Sequence, residues 1–229
     1  MILIFGRRPA ALIACLLLLL SLGCVHGQDA DEAPIERNTL RDRPFTLNRS
    51  VFQASQLDFV AHVGPGPFDS YLVQTVNYRP IEALRRQLEA ELPLPIHNRG
   101  EAHITVILAK EFQNVLKPIL SMAEINTIAR GENIVGAPFE AICVGEGSAL
   151  VNGKLEHSYF LVIKAEKQLQ IRRKIAAAFV AKGGNPADFD ADDYRPHITL
   201  GFTKRDISAE DDVVKDQTTC VQSVKMTGT

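Results

Sequence analysis

Hydrophobic and polar positions alternate along two short stretches that read almost alike, His103-Ile-Thr-Val-Ile-Leu-Ala-Lys110 and His197-Ile-Thr-Leu-Gly-Phe-Thr-Lys204. Successive side chains of an extended strand point to opposite faces. Ile104, Val106 and Leu108 therefore share one face while His103 and Thr105 stand on the other. His197 and Thr199 repeat that display in the second copy. Pro196 holds Arg195 toward extended geometry and fits only where a strand begins. Lys110 and Lys204 fall on the opposite parity and read as solvent-facing strand ends.

The rest of the chain follows the same duplication. Residues Tyr71 to Tyr78 alternate as a strand, and Arg79-Pro80 opens a helix with Pro at its first position. Ile81, Leu84, Leu88 and Leu92 give that helix an apolar stripe, and Pro93 and Pro95 stop it. Gln113 to Arg130 has helical character interrupted at Pro118, closing a first lobe near Gly131. The second lobe opens with strand Phe139 to Val144, passes an irregularity at Gly145 and Gly147, and turns at Asn152-Gly153, a strong hairpin signal. The return strand is His157 to Lys164. A helix from about Glu166 to Lys182 follows, with Leu169, Ile171, Ile175 and Phe179 facing inward and Gly183-Gly184 as its C-terminal stop. The acidic loop Asp188 to Asp193 then delivers the second motif. Each lobe runs strand, helix, motif strand.

The N-terminus changes the picture of where this happens. Arg7 and Arg8, the apolar run Ala10 to Leu22 and the small-residue stretch Gly23 to Gly27 have the order of a secretory signal peptide spanning residues 1–27. The run is shorter than a membrane-spanning helix usually requires. Two other readings stay open, an uncleaved anchor and lipidation at Cys24. The expected location is secreted or periplasmic. Without residues 1–27, which carry two arginines and no acids, the formal charge goes from −2 to −2 − 2 = −4. An acidic chain with no basic arm is a poor match for long nucleic acid, whose binding depends on neutralising many phosphates. Residues 28–45 are polar and read as a flexible lead-in, leaving 46–229 as one domain with lobes at about 46–131 and 132–216 and a tail at 217–229. Cys143 and Cys220 remain after the leader. In an oxidising compartment they either pair or stay as separate thiols.

Two imidazoles and two hydroxyls on facing strands suit phosphoryl chemistry. One imidazole can take a proton from the attacking oxygen while the other gives one to the leaving oxygen, both titrating near neutral pH. The threonine hydroxyls can donate to the non-bridging phosphate oxygens. That set needs no metal and no cofactor. His62, His97 and His157 lack ligand spacing, so no zinc site is read.

With both His-x-Thr steps in place, 197 − 103 = 94 residues apart, and the segment YRPHITLGF from Tyr194 to Phe202, the chain resembles the two-histidine (2H) phosphoesterase superfamily over roughly Val51 to Asp216. The likeness is nearest to members allied to RNA repair and 2′,3′-cyclic phosphodiesterases. The resemblance implies an α+β, bilobal fold with two antiparallel sheets and flanking helices, related by a pseudo-twofold around a central cleft. It also implies metal-free cleavage of a cyclic phosphodiester with His103, Thr105, His197 and Thr199 as the catalytic set. The expected substrate is a small cyclic nucleotide or short RNA end, and the expected state a monomer.

Other residues are weighed beside that set. Arg195 and Glu101 share the histidines' parity and either touch the site or are solvated strand-end charges. Tyr159 or Phe160 either stacks a base across the cleft or is one more aromatic in a sheet core. Which histidine is acid and which base does not follow from the sequence. Two further readings of the intact motifs are an RNA endonuclease leaving a cyclic end and a non-catalytic binder of phosphorylated ligands.

Overall fold

The computed structural model describes residues 43–54 and 57–228. The apolar leader, Cys24 and all but the last three residues of the polar lead-in lie outside the described residues. Among those described, no helix is long and apolar enough to cross a membrane.

The chain forms an α+β fold with two unequal sheets. In order, the elements are β1 (Phe45–Asn48), β2 (Leu72–Thr75), α1 (Tyr78–Glu89), β3 (His103–Ile107), α2 (Ala109–Glu111, running on into a π-helical turn Phe112–Leu116), α3 (Met122–Gly131), β4 (Glu140–Val151), β5 (Lys154–Lys164), α4 (Glu166–Ala181), β6 (His197–Phe202) and β7 (Cys220–Thr227). Strands β1-β7-β4-β5-β6 make one sheet and β2-β3 the other. The first motif opens β3 and the second opens β6.

Several expectations are corrected. Phe45, read as the end of a flexible lead-in, starts β1 and is buried. Residues 217–229, read as a tail, contribute β7, which pairs antiparallel with β4 and parallel with β1, so the sheets are not purely antiparallel. Pro80 takes the third helical position of α1 rather than the first, because Asn77 caps the helix by accepting from the Arg79 amide. Strand β3 stops at Ile107, and Lys110 belongs to α2, paired with Glu210. Gly145 and Gly147 do not end the strand, which runs through them to Val151.

The stops behave as their chemistry requires. At Asn152-Gly153 both residues have positive φ, 51° and 73°, the geometry of a two-residue hairpin turn matched to strand twist. Helix α4 ends in a Schellman motif. Gly183 at φ +94° donates to the Val180 carbonyl and Gly184 to the Phe179 carbonyl. Ser121 and Glu124 form a capping box that restarts the helix after Pro118.

Packing cuts across the two halves of the chain. Helix α1 buries Ile81, Leu84 and Leu88 with Leu161, Ile198 and Leu200 of the larger sheet. Helix α4 buries Ile171, Ile175 and Phe179 with Val106 and Ile107 of β3 and Ile125 of α3. Each helix thus covers the motif strand of the other half, which locks β3 and β6 side by side. Leu169, read as inward-facing, is only half-buried, whereas Gln168 and Arg172 are buried. The buried stripe 168, 171, 172, 175, 179 keeps helical spacing but is centred one residue away from the apolar one.

Cys143 on β4 and Cys220 at the start of β7 form a disulfide with Cα atoms 5.7 Å apart. The bridge settles the open pairing and ties the C-terminal strand into the sheet.

Candidate active site

The alternation read from the sequence holds through His103–Val106 and His197–Leu200, whereas Leu108, read on the apolar face, lies past the end of β3 and is exposed. Ile104 and Ile198 are fully buried, while His103, Thr105, His197 and Thr199 are half-buried on the opposite parity. Strand β6 is the outer strand of the larger sheet, and β3 lies alongside it without joining its ladder. His103 and Thr199 line one notch together with Asn98, Arg99, Glu101 and Leu200. His197 lies close enough to His103 for charge on His103 to disfavour charge on His197. Thr105 is tied to the second motif through its backbone, its carbonyl accepting from the Tyr194 hydroxyl at 3.2 Å just ahead of His197.

Arg172 sets this spacing. Its guanidinium is buried and donates to the Val106 carbonyl on β3 at 2.8 Å, to the Ala191 and Asp190 carbonyls of the acidic loop, and to both carboxylate oxygens of Glu111. It also lies 5.0 Å from the centroids of Phe189 and Tyr194. A planar fork with five donors can satisfy carbonyls from two chain segments and a carboxylate at once. The residue therefore joins the strand of one motif to the loop that delivers the other.

The two imidazoles are held differently. His197 Nδ1 lies 2.9 Å from the Arg195 carbonyl oxygen. A carbonyl only accepts, so Nδ1 carries the hydrogen and Nε2 presents its lone pair to the cleft. The ring meets Phe160 edge-on at 5.7 Å. Burial, followed by the Lys215 charge, pushes His197 down to about 4, against the opposing pull of the Arg195 carbonyl and Asp206. His103 Nδ1 instead lies 3.2 Å from a carboxylate oxygen of Glu101. Burial lowers its pKa below that of an ordinary histidine, Glu101 works against that shift, and Arg99 and His62 add to it.

Thr199 is anchored from behind. Its hydroxyl donates to Asp206 Oδ2 at 3.1 Å, while Asp206 Oδ1 accepts from Lys215 at 2.6 Å and Ser158 at 3.0 Å. Burial pushes the Asp206 carboxyl up, but Lys215 and these donors outweigh it and leave the group below its usual range. Lys215 is itself only 6 % exposed. None of Asp206, Lys215 or Ser158 figures in the sequence reading. Loop Thr203–Lys215 has no periodicity, and only folding returns it over the sheet. Arg99 did leave a signal, because it shares parity with Glu101 and His103.

The weighed residues separate clearly. Glu101 reaches the site through His103. Arg195 lends its backbone carbonyl, while its guanidinium is held by Asp193 at 2.8 Å and faces Asp216 at 3.9 Å. Tyr159 and Phe160 are both buried. Tyr159 packs into the core beneath the sheet and donates to Glu146. Phe160 does lie on the cleft side, being the cross-strand partner of Thr199, but is fully buried. Its ring crosses β4 at Gly145, where any Cβ would come within 2.5 Å of it. It serves as the floor under His197. A wider groove of about 440 Å³ adjoins the site at Val162, the cross-strand partner of His197, and is lined by Lys164, Leu169, Tyr194, Arg195 and Thr218 among others. Among the described residues no group of three or more His, Cys, Asp or Glu side chains could hold a metal ion.

Two imidazoles on adjacent strands, with hydroxyl-bearing residues on the same strands and unlike partners behind them, form an arrangement that can take up one proton and give another. The family model of the Swiss Army Knife 2H phosphoesterase domain matches residues 70–208, more than half of the chain and both motifs, and the protein belongs to that family. Its class is that of hydrolases acting on phosphoester bonds. No curated protein and no solved structure matches the chain significantly.

Proposed function

We propose that the protein is a metal-independent phosphodiesterase that opens 2′,3′-cyclic phosphate ends of nucleotides or short RNA, with His197 as general base and His103 as general acid. The observation carrying this reading is the unlike partnering of the two Nδ1 atoms. The Arg195 carbonyl behind His197 fixes the hydrogen on Nδ1, while burial and the nearby Lys215 charge favour neutral imidazole, so Nε2 is left to accept a proton from water. A carboxylate behind His103 favours imidazolium, whose Nε2–H is given to the departing ribose oxygen. Water oxygen bonds to phosphorus as the phosphorus–ribose oxygen bond breaks, and exchange with solvent returns both histidines to their starting states. Thr105 and Thr199 donate to the non-bridging oxygens on which charge collects. The Cys143–Cys220 bridge supports action in an oxidising compartment, as the apolar leader implies.

The test is product analysis with 2′,3′-cyclic nucleotides and short oligomers in excess EDTA. Conversion of the cyclic end to a monophosphate, unchanged by the chelator, is the expected result. Loss of turnover on chelation and its recovery with Mg²⁺ or Zn²⁺ would instead require a metal-assisted mechanism. Internal cleavage of the oligomers that leaves cyclic ends intact would make the protein an endonuclease.

A further inference from the structure

Taking the phosphodiesterase reading as its basis, we propose that Arg99 is the substrate-binding cation of this site and that Asp206 is its positioning residue, holding Arg99 and the Thr199 hydroxyl on one carboxylate oxygen until a phosphate oxygen takes both.

The two oxygens of Asp206 do different work. Oδ1 faces inward and is bound by Lys215 Nζ at 2.6 Å and Ser158 Oγ at 3.0 Å, both donors being buried. Oδ2 faces the notch, where it accepts from Thr199 Oγ1 at 3.1 Å and lies 3.7 Å from Arg99 Nη2. The inner contacts are short and shielded from water. The Arg99 contact is longer, and its side chain is 54 % exposed, so the guanidinium can turn without leaving a buried charge uncovered.

Chemistry then requires an exchange. A hydroxyl has one proton, so Thr199 cannot donate to Asp206 and to a phosphate at the same moment. A phosphate seated beside His103 and Thr199 also brings negative charge toward Asp206 Oδ2. A guanidinium between the two anions removes that repulsion and binds phosphate with two parallel hydrogen bonds. Among the residues lining the notch Arg99 carries the permanent positive charge, and it stands beside His103, whose proton is committed to the leaving oxygen. Lys215 cannot take this part because it is buried against Asp206 and over the Phe160 ring, 5.4 Å from its centroid. Arg195 is held back by Asp193.

The two residues should fail in opposite ways. Arg99→Ala loses a charge-assisted contact to phosphate and leaves Asp206 facing it, so KM for a 2′,3′-cyclic nucleotide should rise roughly 10- to 100-fold with a smaller change in kcat. Arg99→Lys should recover part of that loss. Asp206→Asn keeps the shape, removes the repelling charge and loosens Thr199, so kcat should fall at least about 10-fold with no rise in KM. A KM for Arg99→Ala within twofold of wild type overturns the proposal. If the wild-type protein turns over no cyclic phosphate, the phosphodiesterase reading fails and Arg99 is decided separately, by following the His103 ring proton by NMR during titration with inorganic phosphate. Saturable shifts in wild type that Arg99→Ala abolishes support the clamp. Equal shifts in both proteins, or none in wild type, overturn it.

Discussion

Strands β3 and β6 open on the same three residues, His-Ile-Thr, and place them in unlike surroundings. His103 opens a strand of a two-stranded sheet at a polar rim, its Nδ1 against Glu101, whose side chain is 54 % exposed. His197 opens the outer strand of a five-stranded sheet, on the buried Phe160 ring, with a backbone carbonyl behind it and the Lys215–Asp206 pair beside it. Identical side chains take different protonation states when their partners and burial differ. A two-proton reaction needs such a division, because one group has to start without the proton and the other with it. The duplicated motif supplies two equivalent imidazoles, and under the proposed mechanism their surroundings make one the base and the other the acid.

Removing either histidine is the most direct way to break the comparison. His103→Ala and His197→Ala should each lower kcat by about 10² to 10⁴, the usual worth of one general acid–base step. The double variant should be little worse than the worse single, since the pair acts as a unit. Steady-state rates on a cyclic nucleotide check this, and losses that simply multiply would mean two independent contributions.

Arg172→Met attacks the link between the strands. It leaves Glu111 without its bidentate partner and strips the Val106, Ala191 and Asp190 carbonyls of their donor, so the protein should lose about 3 kcal/mol of stability. Urea denaturation followed by circular dichroism measures that loss. A midpoint within error of wild type would remove the strut from the account.

The pH profile sharpens the difference in protonation. If neutral His197 is the base, kcat/KM rises as pH climbs through its pKa of about 4. If protonated His103 is the acid, the rate falls as pH climbs through its pKa, which burial holds below the ordinary histidine value of about 6.5. The curve is therefore a bell with a mildly acidic optimum, reporting the coupled pair. Glu101→Gln removes what keeps His103 protonated, so the alkaline limb should move to lower pH while the acidic limb stays nearly in place. Movement of the acidic limb alone would reverse the two roles.

The smallest effect is expected at Arg195. Its contribution to the site is a backbone carbonyl, which alanine retains, so Arg195→Ala should change kcat/KM by less than about threefold. A larger loss would show that its guanidinium leaves Asp193 for the substrate.

Much of this was legible in the sequence because it rests on local rules. Strand alternation places His103 with Thr105 and His197 with Thr199. The Asn152-Gly153 turn and the Gly183-Gly184 stop follow from residues that tolerate positive φ. Where tertiary packing competes with local pattern, the sequence misleads. The inward stripe of α4 is displaced because buried Arg172 binds carbonyls that lie far from it in sequence. The aromatic pair Tyr159 and Phe160 has the composition of a stacking platform, yet both side chains are buried.

By itself, the sequence determined that two His-x-Thr strands exist, which faces they display and which helices and turns connect them, since period and turn chemistry act over a few residues. Only the tertiary structure decided that α1 and α4 cover each other's motif strands and that β7 returns to the sheet through a disulfide. It alone set a carbonyl behind one imidazole and a carboxylate behind the other, and brought Asp206 and Lys215 under Thr199. Those choices depend on hydrogen bonds and burial between segments tens of residues apart, and a proton's preference for one histidine over another is set by the sum of such contacts.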